Sequence, residues 1–185
     1  MRSVTGTAEA AVEDLYQVRA KAELVNGQLR IMEPTGLWPG RVAGLIYASL
    51  LAHQRLTRSG YAIPDNVGFL VDLPNRKSFS PDAAYFTGED SRMKFAHGAP
   101  IFAVEVRSEN DYGPQAELEM QQKRDDYFAA GTQVIWDVDL KTDAIIRVFR
   151  DGDSNQPAAI YRRDEIADAE PAVSGWRFAV NELFD

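Results

Sequence analysis

Residues 100 to 110, PIFAVEVRSEN, place Ile101, Phe102, Ala103, Val104 and Val106 in a near-continuous apolar run broken by one carboxylate, Glu105. A run of this length reads as a strand buried on both faces. Such a strand needs a layer on each side of its sheet, and the flanking sequence offers the layers. Residues 7 to 20 carry Ala11, Leu15 and Val18, with Ala22 beyond, at helical spacing. Residues 41 to 58 repeat the pattern with Val42, Leu45, Ile46, Leu50 and His53, and Gly60 reads as the stop. A third helix spans 114 to 130, with Pro114 at its start and Gly131 just past its end.

Further strands are expected at NVGFLVDL, PDAAYF, QVIWDVD and AIIRVFR, with residues 72 to 80 as a polar loop. In AELVNGQLRIM, Asn26-Gly27 predicts a type I′ hairpin whose register sets Leu24 against Leu29, Ala22 against Ile31 and Glu23 against Arg30. The central order of strand, strand, helix, strand, strand predicts an α/β or α+β layer fold around one mixed sheet. The tail, with Trp176 and Phe178, reads as a short closing segment.

The 185 residues suffice for one domain, expected over 1 to 185. Hydrophobic residues at 45% and charged residues at 26% belong to a soluble globular chain. The longest apolar runs fall short of a membrane span, and the start lacks a signal-peptide pattern. The absence of cysteine excludes disulfides and thiolate metal sites and favours a cytoplasmic setting. Two histidines, His53 and His97, leave little for a histidine-built zinc site. The net charge of −8 argues against broad, non-specific nucleic-acid binding.

Glu105 shares its strand face with Ile101, Ala103 and Arg107. Asp82 opens a strand after Pro81. Lys123 lies within the apolar stripe of the third helix, Ala116, Met120, Tyr127 and Ala130, where an ammonium wants a partner. Two readings follow. Glu105 pairs with Arg107 or Lys123 as a structural ion pair. Alternatively, Asp82 and Glu105 on adjacent strands hold a hard divalent cation, with a backbone carbonyl and waters completing the shell and a neighbouring cation orienting the attacking water.

Read together, SPDAAYF, FAVEVRS, a helix bearing KRDDYFAAG, VIWDVD, the hairpin AELVNGQL and the closing SGWRFAVNELF resemble the Uma-type family of restriction endonucleases in the PD-(D/E)XK nuclease superfamily. The resemblance implies a restriction-endonuclease-like fold and Mg²⁺-dependent hydrolysis of DNA, with Mn²⁺ as substitute. It implies metal ligation by Asp82, Glu105 and the Val106 carbonyl. Lys123 would position or activate water, and Arg107 would hold the phosphate at the place of the superfamily lysine, though an arginine cannot serve as a base. Glu23 falls on a family glutamate, against an ordinary cross-strand pair with Arg30. The family often shows a histidine near residues 39 to 41, where this chain has PGR.

Asp137 and Asp139 read as a strand end and its turn, and Tyr127 as core with its hydroxyl at the site edge. Arg76, Lys77, Arg107, Lys123 and Arg124 are expected to gather at the site mouth. A homodimer suits two-strand cleavage. The alternatives are a catalytically inactive binding or regulatory homodimer of the same fold, or a structural homodimer in which the Glu105–Lys123 pair only fixes the fold.

Overall fold

In a computed structural model, the structure describes residues 9 to 150 and 152 to 184. It contains three α-helices, α1 Val12–Leu15, α2 Leu37–Thr57 and α3 Pro114–Ala129, and a closing 3₁₀ turn Val180–Phe184. The strands are β1 Ala22–Val25, β2 Gln28–Ile31, β3 Tyr61–Ile63, β4 Phe69–Leu70, β5 Ser78–Phe79, β6 Ala83–Phe86, β7 Ala96–His97, β8 Phe102–Val106, β9 Val134–Val138, β10 Ile146–Arg150, β11 Ala159–Tyr161, β12 Ile166–Asp168 and β13 Arg177–Ala179.

The central sheet has six strands in the order β11-β10-β9-β8-β6-β3. β8 and β9 are parallel, and the other pairs are antiparallel. A parallel pair needs a long crossover, and α3 supplies it between β8 and β9. The fold is therefore the mixed central sheet flanked by helices that the sequence predicts.

The alternation of β8 separates two cores. Phe102, Val104 and Val106 join Val42, Ile46 and Leu50 of α2, with Trp136, Trp176 and Phe178. Trp136 stacks on Trp176 with ring centroids 5.0 Å apart, so the closing segment seals this face. Ala103 faces the other way, into a smaller cluster with Tyr127 of α3, Ile135, Phe79 and Phe149. The small Ala103 leaves room for Tyr127, whose ring stacks on Phe79 at 4.0 Å.

Several expected elements differ. Of the first helix only Val12–Leu15 forms, and residues 7 and 8 lie outside the described residues. The two carboxylates of its first turn favour a helix start, but its N-cap, Ala11, offers no side-chain oxygen, and a single turn forms. α2 begins four residues early and ends with Arg58, not Gly60, in the left-handed conformation. Gly60 serves packing instead, because a Cβ there would meet the Phe86 carbonyl at 2.8 Å. The expected strand NVGFLVDL shortens to Phe69–Leu70, and the polar loop contains β5.

The hairpin has the predicted register throughout. Its inner strand is also zipped to the segment before β5: Asn26 N–H donates to the Asn75 carbonyl at 2.7 Å and Lys77 N–H to the Leu24 carbonyl at 2.9 Å. This second seam turns the hairpin into a wall of the site.

Candidate active site

A cavity of about 1050 Å³ opens between the hairpin, the ends of β6 and β8, and α3. Asp82, Glu105, Glu23, Lys123, Tyr127 and Lys21 line it. Asp82 immediately precedes β6. Its N–H donates to the Val104 carbonyl at 3.0 Å, and its Oδ2 accepts the Val106 N–H at 2.8 Å. The main chain thus fixes one carboxylate oxygen. Within a strand the N–H and C=O of one residue point to the same edge, so the Val106 carbonyl is turned toward the Asp82 side.

Glu105 points to the α3 face. Its Oε1 accepts the Tyr127 hydroxyl at 2.6 Å and lies 2.9 Å from Lys123 Nζ. Its Oε2 has no hydrogen-bond partner among the described residues. Lys123 also reaches Glu23 Oε1 at 3.0 Å, and the side chains of Lys123 and Glu105 are each 19% exposed. Burial pushes the Glu105 carboxyl up, and the Asp82 and Glu23 charges add to the rise. Burial acts to lower the Lys123 ammonium, but Glu105 and Glu23 outweigh it and hold the pKa above that of a free lysine. Lys123 is therefore a fixed cation, which can orient and neutralise but cannot take up a proton.

Glu23 is not the ordinary partner of Arg30. It is buried, and its Oε2 takes Arg76 Nη1 at 2.6 Å while Oε1 takes the Ser80 N–H at 2.9 Å. Burial raises its carboxyl, but Lys123 and Arg76 outweigh this and hold it at about 2. Arg30, although opposite Glu23 in register, reaches Glu119 at 3.7 Å. Arg76, expected at the site mouth, is buried between Glu23 and Asp126, the latter at 2.7 Å.

Arg107 stands in the cavity wall, but its guanidinium is taken up by carboxylates. Its Nε and Nη2 each meet Asp137 at 2.7 Å, and Nη1 and Nη2 clasp Glu117. Its side chain is 2% exposed, so the fork is already satisfied by two carboxylates. Asp137 is the penultimate residue of β9, at the strand end as expected, and lies directly beside Glu105. Asp139, in the turn beyond, accepts the Tyr112 hydroxyl at 3.0 Å and the Lys141 N–H. Arg124 is also buried, with Nε on the Ser154 carbonyl at 2.9 Å. The cations expected at the mouth are thus mostly consumed inside. Lys77 is held by Asp72 at 2.6 Å. His53 packs its ring against Tyr85, and His97 is exposed in β7.

Lys21 is the residue that sequence reasoning missed. It sits one residue before β1, and its ammonium donates to Asp82 Oδ1 and to Asp65 Oδ1, each at 2.6 Å. The signal was available: Lys21 and Glu23 are two apart at the start of a strand, so a Glu23 that enters the site brings Lys21 with it. Two ammonium groups, Lys21 and Lys123, thus reach the carboxylates of this cavity from elements other than β8.

Comparison with known proteins gives a family and a fold. Residues 11–181 match the family model Uma2, described as "Putative restriction endonuclease". The chain belongs to the Uma2 family. A solved structure described as a "putative nuclease belonging to DUF820", from Anabaena variabilis, superposes with a TM-score of 0.71 at 14% identity over 93% of this chain and 96% of that chain. At that identity the likeness establishes the fold. Among the curated proteins none matches. No helix among the described residues is long and apolar enough to cross a membrane.

Proposed function

We propose that this Uma2-family protein is a cytoplasmic, Mg²⁺-dependent endonuclease of the PD-(D/E)XK type that hydrolyses DNA phosphodiesters, working as a homodimer. The observation that carries the proposal is the convergence of Asp82, Glu105, Glu23, Lys123 and Lys21 in one cavity built at the ends of β6 and β8. No group of three His, Cys, Asp or Glu side chains among the described residues is arranged around a common metal position. The donor set that fits is two carboxylates and a carbonyl: Asp82, Glu105 with its free Oε2, and Val106. All are hard oxygen donors, which suit Mg²⁺ or Mn²⁺ with waters completing the shell.

When bound, the ion would supply charge neutralisation at the phosphate and a lowered pKa for water. The chain's own residues do the rest. Val106 N–H fixes Asp82, while Tyr127 and Lys123 fix Glu105 by one oxygen and leave the other toward the cavity. Glu23, tied to Arg76 and Ser80, holds Lys123 in place. Lys123 acts as an electrostatic group beside the carboxylates. Arg107 is a positioning residue, which anchors the end of β8 to β9 and α3 through Asp137 and Glu117 and so sets where Glu105 stands.

A second reading, an inactive binding or regulatory homodimer, draws on the cavity's charge, since its lining holds nine Asp and Glu against seven Lys and Arg. Plasmid cleavage separates the two. Wild type should nick and linearise supercoiled DNA with Mg²⁺ or Mn²⁺, and Asp82→Asn and Glu105→Gln should be folded and inactive. Equal inactivity of wild type under both ions would favour the second reading.

A further inference from the structure

We infer that Lys21 competes with the divalent cation for Asp82 and that Asp65 is the carboxylate that receives its ammonium when the cation enters. The inference rests on the reading of Asp82 as a metal ligand. Asp82 has two oxygens with different fates. Oδ2 is committed to the Val106 N–H at 2.8 Å, a main-chain bond that cannot move without moving β8. Among the described residues Oδ1 is held by Lys21 Nζ alone, at 2.6 Å. A cation that took Asp82 by its less committed oxygen, Oδ1, would meet the ammonium there.

Lys21 can yield without becoming an unpaired buried charge. Its second bond, 2.6 Å to Asp65 Oδ1, leads outward, because the Asp65 side chain is 44% exposed whereas that of Asp82 is 22% exposed. The ammonium need only give up one of two carboxylates, and the one it keeps stands at the rim of the same cavity. Lys123 has no such exit, since both of its carboxylates, Glu23 and Glu105, are inside. The two lysines therefore differ in kind: Lys123 is built in, and Lys21 is exchangeable. Competition for one oxygen makes the affinities reciprocal, so whatever weakens the Lys21–Asp82 bond strengthens cation binding by the same factor.

The test is Mn²⁺ binding alone, by isothermal titration calorimetry on the full chain, without DNA. Lys21→Met should bind Mn²⁺ about tenfold more tightly than wild type, in the lower part of the range for coupled sites. Asp65→Asn should bind it several-fold more weakly, because the ammonium then has Asp82 as its remaining carboxylate. Both shifts should persist at roughly 0.5 M salt, where the charge of a distant rim residue is screened. Arg30→Met, which removes an exposed cavity cation that does not touch Asp82, controls for long-range charge. An Arg30→Met shift as large as that of Lys21→Met, or loss of the Lys21→Met shift at high salt, overturns the inference. Unchanged affinity in Lys21→Met with binding intact in wild type overturns it while leaving the metal reading standing. Uptake by none of the four proteins overturns both. Should Lys21→Met fail to fold, as judged by circular dichroism, the Asp65→Asn shift decides: weaker binding at both salt levels supports the exchange, and unchanged binding refutes it.

Discussion

Replacing Lys123 with methionine removes the ammonium that joins the hairpin to the central sheet. In the native protein Lys123 bridges Glu23 Oε1 at 3.0 Å and Glu105 Oε1 at 2.9 Å. The two carboxylates lose unequally. Glu23 keeps Arg76 and the Ser80 N–H, whereas Glu105 keeps, among the described residues, the Tyr127 hydroxyl and the more distant charge of Lys21. Breaking a buried pair by deleting one partner costs about 3–5 kcal/mol. With half the burden still compensated on Glu23, and Glu105 partly exposed, the expected loss at pH 8 is about 3 kcal/mol, the low end of that range. The loss depends on pH. Burial already raises the Glu105 carboxyl, and removing Lys123 raises it further, so the variant protonates Glu105 as pH falls and regains stability. Urea unfolding followed by circular dichroism should show the deficit shrinking between pH 8 and pH 5. The double variant Lys123→Met/Glu105→Gln should be more stable at pH 8 than Lys123→Met alone, since the stranded charge is gone. A Lys123→Met deficit below about 0.5 kcal/mol, or one that does not change with pH, would refute the reasoning, because surface pairs behave that way.

Three further outcomes are expected. Glu23, held at about 2 against an ordinary 4.5, contributes stability that is fully present above about pH 4.5 and is lost as pH falls toward 2; by linkage it is worth about 3 kcal/mol. Glu23→Gln should therefore be less stable at pH 7, and its deficit should close at acid pH; a constant deficit in acid urea titrations would contradict this. Arg107→Lys should lower stability by about 2 kcal/mol, since one ammonium cannot reproduce a fork shared by Asp137 and Glu117, and an unchanged melting temperature would show that the fork is not required. By fluorescence anisotropy with a labelled duplex, Glu105→Gln should bind DNA without metal as well as or better than wild type. Its salt slope should be about 2, because Arg19 and the loosely paired Arg30 are the exposed cavity cations outside tight ion pairs among the described residues, and a slope near 6 would point to an unseen basic surface.

The chain announces its fold through local signals. The apolar run around Glu105, the Asn26-Gly27 turn and the Pro114-to-Gly131 helix each follow from short-range chemistry, and each forms where those signals put it. Elements resting on weak periodicity fared worse. The first helix has no side-chain cap from Ala11, and NVGFLVDL contributes Phe69–Leu70 to a separate three-stranded sheet. At the site, Lys123 could be placed because a lysine in an apolar stripe requires a buried partner. Arg76 and Arg107 could not. Arg76 falls in a polar loop and Arg107 at the end of a strand, and the carboxylates that bury them lie 50 residues away for Arg76 with Asp126 and 30 for Arg107 with Asp137. Glu23 and Arg30 were correctly opposed in register, yet that pairing says nothing of competitors from a third segment, and Arg76 wins Glu23.

The claim that Asp82 and Glu105 form a metal centre is tested most directly by soaking crystals with Mn²⁺ and collecting anomalous data at the manganese edge. A peak within ligand distance of Asp82 Oδ1, Glu105 Oε2 and the Val106 carbonyl, and its absence in Glu105→Gln crystals treated alike, is the expected result. Manganese bound elsewhere on the chain, with Lys21 and Lys123 still seated on both carboxylates at saturating Mn²⁺, would contradict it.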